Sequence, residues 1–530
     1  MKSNSAKSRR YILCPEGELK TELYEFKNKV LGLLNVEIEK LSDALMAKAL
    51  SDDYIFYDNL KSLHDNLATD HLQPIFQYYM ADRKEKMQDY TPSCLGNLIA
   101  RLNHIQDAKS CYDMCAGSGS LTIQAWNINP DCMFFCEELD KRVIPFLLCN
   151  LKLRNMQGYV IHGDVLSKER FQAWRLAKGK VYSSVFELSE PPLEIKTDCC
   201  ISNPPYNIKW QPPVFAQLDS RFTKYGVPPE SNANYAFVLN ALSVAENSAL
   251  ILPNGVLESK DRHEQEIIKG LVDNNNIDCI VANPGKMFEA TGIATCILTL
   301  RKTRVTTAVE MIYCFEKNYI RAERKQCGQF GGTSHTGRVY TKTINEYSSE
   351  NIDNIVNFAD TKKDETGFAK AVISEGIKEK MYRLSPSVYI DFEYEEPKHR
   401  DYAEIMRDIN KIRRKKNACK LVINETIARQ MGFDIKLYQE DSGDMGHLMM
   451  KLCGQKFEKS DYIQFTKNKN EFVLKSNSKE EFPELLLLAF NMWKQRVMML
   501  NNDENILLAE LRDALLPDLM SGRINIGNIE

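Results

Sequence analysis

The chain has 530 residues, of which 43% are hydrophobic and 27% charged, and a formal net charge of -3. That length exceeds what one hydrophobic core supports, so two or three domains are expected, and the composition excludes disordered and fibrous classes. The near-neutral charge does not announce a nucleic-acid binder, so any cations that meet phosphate must be gathered on one face.

Taken in chain order, the opening MKSNSAKSRRYILCPEGELK lacks the apolar stretch of a signal peptide. No later run approaches the roughly 18 apolar residues of a membrane span, so a cytoplasmic chain without membrane contact is expected. Residues 1–86 carry Leu, Lys and Glu at helical spacing (LYEFKNKVLGLLNVEIEKLSDALMAKAL) and read as a helical N-terminal region. From Ser110 the character changes. The short apolar segments SCYDMC, CMFFCEE, YVIHGD, TDCCIS, SALILP, DCIVAN and ATCILTLRK alternate with helix-length stretches. This alternation predicts an α/β catalytic domain over 87–305, built on a doubly wound, mostly parallel sheet. Fifteen cysteines are scattered through the chain and read as reduced thiols. Cys132 and Cys136 have no second ligand pair at zinc spacing, so no metal is expected.

Residues 306–395 read as a mixed, polar appendage, with QFGGTSHTGR as a loop. Residues 396–480 read as helical and mixed, including a helix from Asp401 to Gly432, and 481–530 as a helical tail. In that tail Leu508, Leu511, Leu515 and Leu519 form a stripe expected to be buried. The basic run Lys411 to Lys416 suits either phosphate contact or a solvated helix face.

Four motifs carry chemistry. Asp113-Met-Cys115-Ala-Gly117-Ser-Gly119-Ser lies at a strand-to-helix turn, where glycines let a backbone approach a nucleotide-like ligand, although the dinucleotide spacing GxGxxG is not met. The acids of FFCEELD end the next strand, where a carboxylate can accept both hydroxyls of a ribose. Glu138 is the expected acceptor, with its neighbour Glu137, on the opposite strand face, as the alternative. Asp164, in GDVL after a third strand, is placed to accept a hydrogen bond from an adenine amino group. Finally, Asn203-Pro204-Pro205-Tyr206 follows TDCCIS. An amine conjugated to a heterocycle is a poor nucleophile. Two acceptors, the Asn203 side-chain carbonyl and the Pro204 backbone carbonyl, can each take one amine hydrogen and localise the lone pair, while the prolines stiffen the loop. Tyr206 offers a face for base stacking, worth about 1–3 kcal/mol.

From about Asp89 to Tyr389 the chain resembles the modification subunits of type I restriction-modification systems, amino-methyltransferases of the gamma motif order. The matching stretches include QDYTP, DMCAGSGSLTI, FFCEELD, CNLKLRN, GDVL, SNPPYN, DSRFTKYGVPPESNANYAF, LILPNGVLE, NPGKMFEATGIATCILTLRK and YRLSPSVYI. The resemblance implies a seven-stranded methyltransferase sheet that binds S-adenosylmethionine. It implies that Tyr90, Thr91 and Pro92 pack on the methionyl end of this cofactor, with Asp113 near its amino group, and that Cys115, Gly117, Gly119 and Asn203 complete the cofactor set. Glu138 then takes the ribose, Asp164 the adenine, and Phe288 faces Tyr206 across a flipped target base. The C-terminal LRDALLPDLMSGRINI resembles the helix that ends the specificity subunits of the same systems, and suits either docking on such a subunit or packing within this chain.

The expected function is therefore methylation of adenine N6 in double-stranded DNA at a target chosen by a specificity subunit, two modification subunits serving each specificity subunit, with a restriction subunit as a further candidate partner. Cytosine N4 presents the same electronic problem and is the alternative substrate. A non-catalytic assembly or DNA-binding subunit is the alternative from another class. Carbon-5 methylation is excluded by the absence of a Pro-Cys pair.

Overall fold

The strand candidates are apolar on both sides because both sides are covered. In the computed structural model, which describes residues 22–64, 66–80, 91–288, 292–314, 318–327, 339–392, 400–431, 463–465, 472–474 and 498–520, the chain divides into two units, 1–393 and 394–530.

The first unit opens with helices α1 (Glu22–Leu34), α2 (Leu41–Leu50), α3 (Tyr54–Ser62), α4 (Gln73–Tyr79) and α5 (Ser93–Leu102). Then follow β1 (Ser110–Asp113), α6 (Ser120–Ile128), β2 (Met133–Glu138), α7 (Ile144–Leu153), β3 (Gln157–Asp164), β4 (Glu169–Ala177), β5 (Ser184–Glu187) and β6 (Thr197–Ser202). Further along are α8 (Asn234–Val244), β7 (Ala245–Pro253), α9 (Arg262–Asp273), β8 (Ile277–Ala282), β9 (Thr295–Arg301) and β10 (Ala308–Tyr313). The unit closes with β11 (Ile320–Cys327), β12 (Val339–Glu346), α10 (Ser349–Thr361), β13 (Ala369–Ile373) and α11 (Ser374–Glu379). Strands β11 and β12 form a separate antiparallel hairpin, and QFGGTSHTGR, between them, lies outside the described residues.

One sheet runs in the order β13-β10-β8-β9-β7-β6-β1-β2-β3-β4-β5. Its middle seven strands, β8 to β3, are the seven expected from sequence. Six of them point one way, and β9 runs antiparallel to both its neighbours. The expectation of seven strands is corrected to eleven. The β4–β5 hairpin extends one edge, and β10 with β13 extends the other. β10 and β13, from the mixed segment 306–395, thus help to complete the catalytic sheet.

Successive strand residues fall into two cores, as the two-residue repeat demands. Cys111, Cys199, Ala249 and Val281 face helices α1 to α7 and α10, while Tyr112, Cys200, Leu250 and Ile280 face α8, α9 and α11. The adjacent Cys199 and Cys200 thus lie on opposite faces, and the described cysteines are free thiols.

In the second unit α12 (Tyr402–Met431) and α13 (Met498–Met520) pack antiparallel, with a small β14 (Ile463–Phe465) and β15 (Phe472–Leu474) hairpin. Arg400 meets Glu510 at 2.8 Å, and Arg413 and Lys416 both meet Glu504. The basic run is thereby partly spent on a helix pair. The predicted stripe on α13 is buried in part. Among its described side chains Glu504 and Ala514 are buried, Leu511 and Leu515 are half-buried and Leu508 is 38% exposed; Leu519 has no described side chain.

Buried charge marks the far sheet edge. Asp278 is ringed by Arg301, Arg304 and Lys362, which hold its carboxyl below the usual range against the opposing effect of burial. Glu310 on β10 is fully buried with no hydrogen-bond partner for either carboxyl oxygen, and burial pushes it up to about 8. A raised carboxyl favours the protonated fold, so stability is lost as pH rises from the unfolded value through about 8. Glu310→Gln is therefore expected to raise the melting temperature at pH 8.5 by about 2–4 °C. At pH 5 the gain should vanish; an equal gain at both values would show that ionisation is not its origin.

A candidate active site at the ends of the central strands

Strand order reverses direction between β1 and β6, since β1 leads outward to β2 and β3 while β6 leads the other way to β7. Open α/β sheets bind ligands at such a switch point, beyond the carboxyl ends of the strands. There lies a cavity of about 740 Å³ lined by Thr91, Cys115, Gly117, Glu138, Asp140, Asp164, Asn203, Pro204, Pro205 and Tyr206, among others. Residues predicted from β1, β2, β3 and β6 are thus brought together.

The turn after β1 is held by two glycines in the left-handed region, Gly117 at φ 55° and Gly119 at φ 97°. A Cβ on Gly119 would also come 2.9 Å from the Leu147 side chain. The Gly117 amide donates to Glu138 Oε2 at 2.8 Å and the Asp140 amide to Oε1 at 2.7 Å. Glu138 is half-buried, and burial raises its carboxyl above the usual range while these two amides oppose the shift. Of the two neighbouring acids, strand parity puts Glu138 on the cavity. Glu137 faces the other way, fully buried, accepting from the Tyr112 hydroxyl at 2.7 Å and paired with Arg170 at 3.2 Å.

Asp113 is not part of the lining. It is fully buried behind the cavity, where Oδ2 accepts the Thr122 hydroxyl at 2.7 Å and burial pushes the carboxyl up to about 7. It braces the start of α6 through Thr122. Gly119 and Pro92 also lie outside the lining, and Tyr90 lies outside the described residues.

At the Asn203 loop, Asn203 Nδ2 donates to Thr91 Oγ1 at 3.0 Å, and the Tyr206 hydroxyl donates to Asn203 Oδ1 at 2.6 Å. Beyond it, Asn207 and Asn234 exchange two hydrogen bonds of 3.1 and 3.0 Å, which ties the loop to α8. The predicted aromatic clamp is not open. Tyr206 and Phe288 meet edge to face, with centroids 6.3 Å apart and planes at 89°, and Phe288 is fully buried. Parallel faces able to take a base between them require one ring to turn.

Two anchors were missed from sequence. Asp70 Oδ1 accepts from the Leu72 and Gln73 amides and from Asn150 Nδ2 at 2.8 Å, while Oδ2 accepts the Ser118 and Ser120 hydroxyls at 2.6 and 2.9 Å. Its only signal, an acid just ahead of Leu-Gln-Pro, is a helix-start pattern and says nothing of the other three bonds. Arg221 is buried, paired with Asp219, and donates to the Val165 and Leu166 carbonyls at 3.0 Å each, fixing the loop that follows Asp164. Asp70→Asn leaves donors facing donors, and is expected to lower the unfolding free energy by about 2–4 kcal/mol in urea titration. A loss under 0.5 kcal/mol, the scale of an ordinary surface substitution, would show that the cluster is not structural.

Comparison with known proteins agrees in family. The family described as N-6 DNA Methylase matches residues 67–398. The chain is similar to the type I restriction enzyme MpnII methylase subunit of Mycoplasma pneumoniae, 27% identical over 383 residues, covering 69% of this chain and 64% of that protein. The match therefore spans less than two thirds of that relative's length. The type I restriction enzyme HindI methylase subunit of Haemophilus influenzae is 24% identical over 388 residues, covering 69% of this chain and 78% of that one. A crystal structure of the type I restriction-modification system methyltransferase subunit from Streptococcus thermophilus aligns with 70% of this chain and 80% of its own, at 21% identity and a TM-score of 0.49.

Proposed function

This chain belongs to the N-6 DNA methylase family, and from that premise we propose that it methylates N6 of a flipped adenine in double-stranded DNA, as the modification subunit of a type I-like restriction-modification system. The observation that carries this reading is that Asn203-Pro-Pro-Tyr206 opens onto the same cavity as Glu138 and Asp164.

The residues present fit S-adenosylmethionine. The cavity is large enough for a nucleoside with an amino-acid arm, and the carboxylates of Glu138, Asp140 and Asp164 around it suit a cation and hydroxyl donors. When bound, that cofactor supplies an electrophilic methyl on a sulfonium. Each Glu138 oxygen already accepts one backbone amide and keeps a lone pair for a ribose hydroxyl. Asp164, whose Oδ1 accepts the Leu166 amide at 2.9 Å, would take the adenine amino group.

For the target base, Asn203 Oδ1 and the Pro204 carbonyl would each accept one amine hydrogen and turn the nitrogen lone pair toward the methyl. The base must leave the duplex to reach them, at a cost of a few kcal/mol that stacking on Tyr206 offsets. Val214 and Phe215, on the loop that continues from Tyr206, are 87% and 67% exposed, apolar surface that an approaching duplex would cover. Target choice is assigned to a specificity subunit, in the ratio of two modification subunits to one, with a restriction subunit as a further candidate partner. Among the described residues no helix is long and apolar enough to cross a membrane.

Single-molecule sequencing of DNA from cells expressing the chain, with and without a specificity subunit, tests the reading. The expected result is N6-methyladenine at one motif only when both are present. Asn203→Ala should lower the rate about 10²–10³-fold. Marks on cytosine N4 would change the substrate; no mark in any sample would overturn the proposal. Binding offers a separate check. Glu138→Ala should weaken calorimetric affinity for S-adenosylmethionine at least about tenfold without large loss of stability, whereas Glu137→Ala, which strands Arg170, should cost about 3–5 kcal/mol of stability. The reverse pattern would move the ribose contact to Glu137.

A further inference from the structure

An asparagine amide has two ends of nearly equal size, and only one of them can serve the proposed chemistry. The carbonyl accepts an amine hydrogen; the NH₂ would repel it. Whatever sets the amide's orientation therefore sets whether Asn203 works at all. In this structure both ends are engaged, Nδ2 by Thr91 Oγ1 at 3.0 Å and Oδ1 by the Tyr206 hydroxyl at 2.6 Å. The two hydroxyls are not equivalent. A phenolic oxygen shares its lone pairs with the ring, so it donates well and accepts poorly, while an aliphatic hydroxyl is the better acceptor. Nδ2 on Thr91 and Oδ1 on Tyr206 is thus the preferred orientation.

Thr91 is also independent of the catalytic loop. It precedes Pro92, which restricts it to extended backbone ahead of α5, and it is buried at 9% exposure. We infer that Thr91 is a positioning residue that fixes the Asn203 amide with its oxygen toward the incoming amine, and that the Tyr206 hydroxyl holds that oxygen's place until the amine replaces it. The inference rests on the function proposed above. It gives Thr91 a duty toward the target amine besides any contact with the cofactor. It also gives Tyr206 two duties, stacking by the ring and place-holding by the hydroxyl.

The test uses the full chain in its active assembly, a duplex carrying the motif found by sequencing, and S-adenosylmethionine as the calorimetric probe. Thr91→Val, the same shape without the acceptor, should lower the single-turnover rate about 10²-fold while leaving cofactor affinity within about threefold. Thr91→Ser restores the acceptor and should recover most of that rate. Tyr206→Phe keeps the ring and removes the competing donor, so DNA affinity should rise by about threefold or more. Thr91→Val at the wild-type rate overturns the inference, and so does a rate loss matched by an equal loss of cofactor affinity. Weaker DNA binding by Tyr206→Phe overturns the place-holding role. A wild-type assembly that neither binds cofactor nor methylates overturns the proposed function and this inference together, whereas an active wild type beside an equally active Thr91→Val overturns this inference alone.

Discussion

The carboxylate of Asp70 is the interaction on which the site depends. A strand-to-helix turn built on Gly117 and Gly119 has the freedom to approach a ligand and, for the same reason, little intrinsic shape. The shape is imposed from outside. Asp70 grips both serines of the turn, the amide of Asn150 on α7, and the first amides of α4. Arg154 completes the joint, donating to the Leu67 and Thr69 carbonyls and to Asn150. The N-terminal helices therefore brace the turn that lines the cavity, and the family match, which begins at residue 67, takes in this anchor.

The remaining loops at the sheet's carboxyl ends follow the same rule. Arg221 holds the loop after Asp164 through two backbone carbonyls, and the Asn207–Asn234 pair holds the loop after Tyr206. Asp70, Arg221 and Asn234 are buried, where a hydrogen bond is stronger and an unmade one is costly. Rigidity matters for the proposed chemistry, because the acceptors must be aimed before the amine arrives rather than by it.

What could be read from sequence follows from the strength of each local pattern. The middle seven strands are apolar on both faces and bounded by turn residues, so they were legible. β4 (ERFQAWRLA) carries three charges and β10 (AVEMIY) a glutamate at its centre, and both sit toward the sheet edges, so composition concealed them. Glu137 and Glu138 could not be separated by identity; strand parity separates them once the strand's position in the sheet is known. The anchoring role of Asp70 was invisible because its side-chain partners come from positions 48 to 80 residues away, and no short pattern encodes such a meeting. On α13 the face that carries Leu508, Leu511 and Leu515 also carries Glu504, which is buried where Arg413 and Lys416 pair with it. Apolar periodicity alone cannot foresee that a charge arrives already partnered.

Phe288 shows the limit from the other direction. Resemblance placed it opposite Tyr206, and the structure does bring the two rings together, yet edge to face and with Phe288 sealed in the core. The Tyr206 ring angle is set in part by its hydroxyl, which is drawn to Asn203 Oδ1. Releasing that bond is what would free the ring to turn its face to a base, and the same release exposes the acceptor that the base's amine needs. Under the proposed reaction the two events are one. A base entering the cavity would gain a stacking surface and a hydrogen-bond acceptor in the same movement, and a ligand without an amine to replace the tyrosine hydroxyl would gain neither at full strength. Discrimination for an exocyclic amine would then arise from the resting arrangement of Thr91, Asn203 and Tyr206, before any contact with the sequence around the target.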